Sequence, residues 1–359
     1  MTKRITKTTD ILKNKKLTKR DRLYIGIDVH KVKHHFAFWL NGRIVKTSVM
    51  PADDLAVVEK LHPYKVAIKE IVYEAGPTGF HLARFLRECG FPVEVIAPSE
   101  VPESRSSKAK SDRLDCRKLA TYSAKGLLKP VSIPTPQQEA SRQLSRHRDQ
   151  LVSKRKRVKQ QIKSLLLQNG ISEPGGLDTF SKAAIAELRN IRMFDQLKYC
   201  FESFIDELEF FNAKIKDLEK RLKQQFKQPE YSKELKLLLS HPGVGVITAR
   251  QFILEVHDPE RFNTGTEIAG YLGLCPKVNQ SGQRRKDGNV VMTSKGTLRA
   301  NLVEASWAWI RKDNCAREVF IRILHNTGND KKAIVAMARR LAIHLWKMLC
   351  SQQYYKKAA

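Results

Sequence analysis

The 359-residue chain is short of acid. Its 37 Asp and Glu face 66 Lys and Arg, leaving a formal net charge of +29. An excess of this size suits a polyanionic partner. Cysteine is scarce and scattered: Cys89, Cys116, Cys200, Cys275, Cys315 and Cys350 include no C-x-x-C pair. That spacing argues against a zinc site or a disulfide framework and for reduced thiols in a cytoplasm. No apolar run approaches the roughly 18 residues that a spanning helix needs, so no membrane role is expected. The first 22 residues hold nine Lys and Arg without an apolar segment, so they do not read as a secretory signal. A G-x-x-x-x-G-K-[ST] nucleotide loop is also missing. What is present is a hydrophobic fraction of 42%, enough for real cores in two or three domains of about 100–200 residues each. The charge therefore belongs to a folded protein.

Residues 1–22 are basic and lack hydrophobic periodicity. They read as a mobile tail, resting on phosphates or simply solvated. Order is expected from Tyr24-Ile25-Gly26-Ile27, a short strand that ends at Asp28. The runs KHHFAFWL (33–40) and RIVKTSVM (43–50) flank Asn41-Gly42, the strongest short hairpin signal. Helical spacing over 53–61, a strand over 66–73 ending at Glu74, a turn at 76–79, a helix over 80–89 and a strand over 92–97 follow. Such an order suits a mixed sheet covered by helices.

From about 137 to 168 a single helical pattern carries nine Lys and Arg between Arg142 and Lys163, Arg155 and Arg157 among them, against one acid, Asp149. A nucleic-acid partner would relieve that self-repulsion, although a basic run is also commonly a solvated face. A second helix over 194–226 sets Phe201, Phe204, Ile205, Leu208, Phe211, Ile215, Leu218 and Leu222 at three- and four-residue spacing. The two helices are expected to form an antiparallel coiled-coil arm, packed on each other or on a second subunit. Beyond 231, HPGVGVITA reads as a helix-hairpin-helix turn in which Gly243 and Gly245 would offer backbone N–H groups to a phosphate. A plain packing turn is the alternative. The expected division is a tail over 1–22, an α/β domain over 23–130, a helical arm over 131–230 and a mainly helical domain over 231–359.

Four carboxylates stand out by position. Asp28 and Glu74 end strands, and Asp112 and Asp115 lie three apart, on one face if 111–126 is a helix. Strand-end acids beside a helix-borne pair suit a two-metal phosphoryl-transfer site. Mg²⁺ prefers hard oxygen donors, and two ions about 3.5–4 Å apart need bridging ligands. Each acid also has an ordinary reading. Asp115 could pair with Arg113 or Lys118, Asp112 could cap its helix, and Glu74 could sit in an exposed turn.

GIDVHK around Asp28, YEAGPTG around Glu74 and KSDRLDCRKLA around Asp112 and Asp115 together resemble the N-terminal RuvC-like (RNase H-fold) domain of DEDD transposases. More narrowly, the chain resembles the insertion-sequence one-ten family. The C-terminal half is similar to that family in HPGVGVITA, in AGYLGLCP (269–276), in Gln280-Ser281-Gly282, in Gly288, in TSKG (293–296) and in Leu298-Arg299. The likeness spans roughly residues 23–345 in the family's order. Two departures surround Ser281: Gln283 follows Gly282 where the family often has another glycine, and Thr293-Ser294-Lys295 replaces Ile-Ser-Lys.

The resemblance implies an RNase H-like domain and a C-terminal transposase domain. Asp28, Glu74, Asp112 and Asp115 would hold Mg²⁺, and Ser281 would attack DNA to form a phosphoserine link. A serine hydroxyl is a poor nucleophile near neutral pH and needs such activation. From composition alone, the serine within NQSGQ reads first as an ordinary loop residue of a Ser-Gly turn, and only the family context favours the nucleophile. Arg284, Arg285, Lys286, Lys295 and Arg299 would neutralise phosphates around it. The implied partners are donor and target DNA, a structured noncoding bridge RNA and further copies of the chain, as a dimer or tetramer, with the 194–226 helix as assembly contact. Two other readings are a Piv-like invertase or metal-dependent nuclease without an RNA guide, and a non-catalytic nucleic-acid-binding protein. The last predicts losses among the four acids, and none is lost.

Overall fold

Alternating apolar residues build the first three strands, β1 (Leu23–Val29), β2 (Lys33–Leu40) and β3 (Arg43–Pro51), into an antiparallel meander. Its second turn is the anticipated one. Asn41 and Gly42 take φ of 44° and 110°, the positive pair that a two-residue hairpin of matching twist requires. Strands β4 (Ile68–Glu74) and β5 (Val93–Ile96) add in parallel, giving the order β3-β2-β1-β4-β5. The structure is a computed structural model that describes residue 12 and residues 16–102, 112–281, 284–290 and 295–356. The chain forms two units, meeting in sequence at Pro134 and Thr135.

The two faces of the sheet are covered differently. Ile25, Ile27, Phe36, Phe38, Ile71 and Tyr73 share a core with Val57 and Leu61 of α1 (Asp54–Leu61) and Leu82 and Leu86 of α2 (His81–Glu88). The opposite face presents small residues, Gly26 and Ala37, to Cys116 and Ala120 of α3 (Asp112–Ala124). A Cβ built on Gly26 would lie 2.1 Å from the Cys116 carbonyl oxygen and 2.6 Å from the Ala120 nitrogen. Both are helix backbone, so only glycine lets α3 lie this close to β1. Gly26→Val is therefore expected to destabilise the first unit by about 3 kcal/mol, the upper part of the overpacking range. Urea unfolding should show a lower midpoint, and an unchanged midpoint would contradict this packing. This mixed sheet and its helices are compatible with an RNase H-like domain.

The mobile-tail reading needs correction over its described part. Leu12 and Leu17 are buried in the core of the first unit. Asp21 accepts hydrogen bonds from Asn41 at 2.9 Å and from the Thr18 backbone at 2.9 Å. Two leucines among many lysines suffice to anchor the segment, although they set up no periodicity. Residues 1–11 and 13–15 lie outside the described residues.

In the second unit, Thr135 and Gln138 form a capping box and Pro136 opens α4 (Pro136–Gln168). After α5 (Lys182–Asn190), α6 (Asp195–Gln225) returns antiparallel to α4. The direction follows from Gln225 bonded to Ser141, Glu219 to Arg148 and Asn212 to Arg155. Phe201, Ile205 and Leu208 pack with Val158, Ile162 and Leu166, and Ile215 and Leu218 pack with Leu151. The apolar stripe of 194–226 is thus buried within one chain, which corrects its expected use as the assembly contact. The large exposed hydrophobics left on this helix are Tyr199 and Phe210.

The remaining helices are α7 (Pro229–Leu239), α8 (Val246–Val256), α9 (Gly265–Tyr271), α10 (Gly296–Lys312), α11 (Asn314–Thr327) and α12 (Asp330–Ser351). They enclose Phe252, Leu272, Leu302, Met337, Leu341 and Leu345. The expectation of a mainly helical region omitted a two-stranded hairpin between α9 and α10, β6 (Pro276–Ser281) and β7 (Arg284–Val290). Among the described residues no helix is long and apolar enough to cross a membrane. All six cysteines are free thiols.

Candidate active site

Parallel register brings two of the four acids together. Ile27 lies opposite Tyr73, so the residues that follow, Asp28 and Glu74, stand side by side at one edge of the sheet. Ile27 and Tyr73 belong to the α1/α2 core, and strand alternation turns Asp28 and Glu74 to the α3 face. Helix α3 crosses that face antiparallel to β4. Ser123 Oγ donates to the Glu70 carboxylate, Leu119 packs on Val72, and Cys116 meets Gly26. From Glu70 to Glu74 the strand rises about 13 Å. From Ser123 to Asp115 the helix covers about 12 Å. Asp115 is thereby carried level with Glu74 and Asp28. The Cys116 thiol is pushed up to about 11, first by burial and next by the negative charge of Asp28, which places that charge beside α3. Asp112 opens α3, and its side chain lies outside the described residues, as does the stretch 103–111.

Histidines not singled out in the sequence border this edge. His30 Nε2 lies 3.1 Å from Asp28 Oδ2. His35 is the cross-strand partner of Asp28, and its ring centroid is 6.2 Å from that of His30. On β4, the Tyr73 hydroxyl donates to the Gly79 carbonyl at 3.1 Å, fixing the turn after Glu74, where Gly79 takes φ of 68°. Burial pushes that phenol up to about 12 against the opposing charges of Arg84 and Arg87, so it stays a donor.

The donor chemistry of this edge fits Mg²⁺: carboxylate oxygens on two strand ends and one helix, with Asp112 at the first position of the same helix. Among the described residues no three His, Cys, Asp or Glu side chains cluster tightly enough to enclose a metal.

In the second unit, Ser281 is the last residue of β6, and its register partner is Arg284. Gln280 pairs with Arg285 and Asn279 with Lys286. Hairpin pairing thus sets three consecutive cationic residues against the serine segment. The side chains of Ser281, Arg284, Arg285 and Lys286 lie outside the described residues, as do Gly282, Gln283 and 291–294.

Both roots of the hairpin are braced. Arg299 donates to the Gly273 carbonyl at 3.4 Å. Lys295 Nζ lies 2.7 Å from Glu255 on α8, with its side chain 9% exposed. The same carboxylate accepts both Arg146 nitrogens at 2.9 and 3.0 Å and lies 3.7 Å from Arg142. Lys295 and Arg299, read from the sequence as phosphate contacts, have these internal partners. Beside them is a cleft of about 430 Å³ whose lining includes Ser145, Arg146, Lys154, Gln251, Lys295 and Thr297. Of the cations singled out on α4, Arg155 reaches Asn212 at 3.1 Å, and Arg157 is exposed.

Glu255 was not legible as a hub, because one acid inside an apolar helix gives no sign of which cations reach it. Burial raises its carboxyl, but the hydrogen bond from Arg146 and the charge of Lys295 outweigh burial and hold it below the ordinary value. A depressed carboxyl contributes stability that is complete at neutral pH and fades as pH falls below the ordinary glutamate range of about 4.3. Glu255→Gln should remove that acid-sensitive contribution. It should also cost about 3 kcal/mol, the lower end for breaking a buried pair, since Arg146 stays 43% exposed. Denaturant titrations at pH 7 and pH 3.5 check both, and equal losses at the two pH values would contradict it.

The two glycines of the α7–α8 turn separate in role. A Cβ on Gly243 would lie 2.5 Å from the Ala305 carbonyl oxygen and 2.6 Å from Trp309 Cβ, so Gly243 serves close approach to α10. Gly245 has open space around it at the N-cap of α8, where Val246 and Ile247 are exposed.

A family model for the DEDD domain of IS110 elements, described as a transposase, matches residues 25–170. A second, described as the transposase IS116/IS110/IS902 family, matches residues 235–320. A putative transposase of Sinorhizobium fredii, y4rJ, is 30% identical over 301 residues, which cover 77% of this chain and 76% of the relative. The transposase for insertion sequence element IS1111A of Coxiella burnetii is 25% identical over 362 residues, covering 97% of this chain and 95% of the relative. That for IS1533 of Leptospira borgpetersenii is 23% identical over 343 residues, covering 94% and 98%. The mixed sheet with its acidic edge, taken with these matches, defines a DNA-processing enzyme that carries out transposition. The chain belongs to the IS110 family of transposases.

Proposed function

We propose that this transposase cuts and rejoins donor and target DNA with two catalytic parts, an acidic site on the first unit and Ser281 on the second. The observation that supports the reading is the parallel register of Ile27 with Tyr73, which sets the following residues, Asp28 and Glu74, at one edge of the sheet, with Asp115 on the helix that crosses the same face. Asp28, Glu74, Asp112 and Asp115 would hold Mg²⁺, which when bound neutralises and polarises the scissile phosphate. Ser281 Oγ attacks phosphorus as it loses its proton to solvent or a nearby base. The phosphorus–oxygen bond to the leaving strand breaks, and that strand departs as a hydroxyl after taking up a proton. A hydroxyl of the new strand reverses these steps on the serine ester. The phosphodiester energy is kept throughout, so no nucleotide cofactor is required.

The basic hairpin strand Arg284-Arg285-Lys286 supports a role in neutralising the phosphates that Ser281 approaches. The α4/α6 pair fits a coiled-coil arm with Arg157 exposed, and the open Gly245 end of α8 fits a helix-hairpin-helix contact with the DNA backbone. In this reading 23–130, 131–230 and 231–359 act as catalytic domain, arm and serine-bearing domain, and the active assembly is a dimer or tetramer. Target choice would come from a structured noncoding RNA that pairs with donor and target. The charge of +29 supports binding RNA together with DNA. The test is recombination of donor and target DNA by the purified chain, with and without the noncoding RNA flanking its reading frame, in Mg²⁺ and in EDTA. Products are expected only with both RNA and Mg²⁺. Equal yield without the RNA would remove the guide from the reading, and undiminished cleavage in EDTA would remove the metal.

A further inference from the structure

The C-terminal unit contains a cleft of about 360 Å³ that involves neither the acidic edge nor the Ser281 hairpin. Aromatic residues from three places line it: Trp309 of α10, His344 of α12, and Tyr354 and Tyr355 of the segment after α12. Cations line it too, Arg340 and Lys347 of α12 and Lys356 beyond it. Asp313 is the one acidic residue of the lining. It is buried, accepts the Tyr355 hydroxyl at 2.6 Å and caps α11 by accepting from the Ala316 nitrogen at 3.1 Å. With that carboxylate engaged internally, the charge presented to a ligand is positive.

The aromatic wall is built rather than incidental. Gln352 takes a left-handed φ of 53°, which turns the chain at the end of α12. The Tyr355 nitrogen donates to Ser240 Oγ at 3.0 Å, tying the segment to the α7–α8 turn. The Tyr355 ring packs 4.4 Å from His241, and Trp309 packs 5.1 Å from His344. Those rings are committed to one another. Tyr354, which precedes Tyr355 in the chain, is in none of these ring contacts and remains 58% exposed.

A free aromatic face in a positive field has a specific complement: a flat, apolar base attached to phosphate. A duplex cannot supply it without unstacking, because its bases already stack on one another. An apolar protein segment would leave the three cations unmatched. We infer that this cleft binds an unpaired nucleotide, its base stacked on Tyr354 and its phosphates on Arg340, Lys347 and Lys356. The site needs only the nucleic-acid substrate of a transposase, and it holds whether or not Ser281 is the nucleophile.

The test uses the full-length chain and three probes at one salt concentration: a short oligothymidylate, an oligouridylate of the same length and a blunt DNA duplex. Tyr354→Ala should weaken binding of at least one single strand by about fivefold or more, the scale of losing one stacked base. Tyr354→Phe keeps the ring and should match the unmodified protein, and duplex affinity should stay within about twofold for both variants. A loss confined to oligothymidylate identifies DNA as the source of the nucleotide, one confined to oligouridylate identifies RNA, and a loss with both identifies either. Unchanged affinity of Tyr354→Ala for both single strands would overturn the inference. So would an equal loss with duplex, or a shift in sedimentation mass without a change in affinity, which would assign the cleft to a protein partner.

Discussion

Ser281→Ala is expected to lower recombination by about 10⁴-fold or more, the scale on which an enzyme responds to loss of a covalent nucleophile. The effect follows from chemistry rather than from folding. Ser281 closes a β6–β7 hairpin whose roots are held elsewhere, by Lys295 on Glu255 and by Arg299 on the Gly273 carbonyl. Removing one hydroxyl at the tip leaves those braces intact. Affinity for DNA and RNA should therefore stay within about twofold, because phosphate contacts and not the serine supply it. The measurements are single-turnover strand exchange on donor and target DNA, and filter binding on the same substrates. Strand exchange at the rate of the unmodified protein would assign the attacking oxygen to water or to another residue. A parallel loss of binding would indicate that the hairpin had collapsed.

Asp28→Asn should lower Mg²⁺-dependent strand exchange by about 10³-fold, the upper range for removing one group that stabilises transition-state charge. Asparagine keeps the size of the side chain and a partner for His30, 3.1 Å away, but removes the negative charge. Asp28 stands beside Glu74 at the strand ends, so in the absence of a cation these two carboxylates repel one another. The substitution should accordingly leave the thermal midpoint unchanged or raise it. Loss of activity with retained or increased stability marks a residue kept for function. A lowered midpoint with activity that still rises with Mg²⁺ would make Asp28 a structural residue. Cys116 gives an independent readout. Part of what raises its thiol is the charge of Asp28, so the variant should bring that titration down from about 11.

The meander is legible in the sequence because its signals are local. Asn41-Gly42 dictates the turn, and β2 occupies 33–40 as the apolar pattern requires. The acids are legible by position, Asp28 and Glu74 near strand ends, but their pairing is not, since it depends on the parallel register of β1 with β4. Gly26 is visible only as a glycine within an apolar strand. Its reason is the α3 backbone 2.1 Å from where a Cβ would lie, a contact that joins residues ninety positions apart. Glu255 is illegible for the same cause: Arg146 and Lys295 reach it from elements far away in sequence. The β6–β7 hairpin escaped notice because PKVNQS and RRKDGNV lack the alternating apolar residues that announce a strand. The tail misled in the opposite direction, its lysines outnumbering the two leucines that fasten it.

The most direct test of a serine-based, metal-assisted recombinase is to trap the protein–DNA intermediate and map it. Full-length chain, Mg²⁺, the flanking RNA and donor DNA carrying a nick that prevents rejoining should yield a covalent adduct that survives denaturation. After proteolysis and nuclease digestion, mass spectrometry should place a phosphonucleotide on the peptide containing Ser281, and Ser281→Ala should give no adduct. An adduct on any other residue, or DNA cleaved in full with no adduct at all, would contradict it.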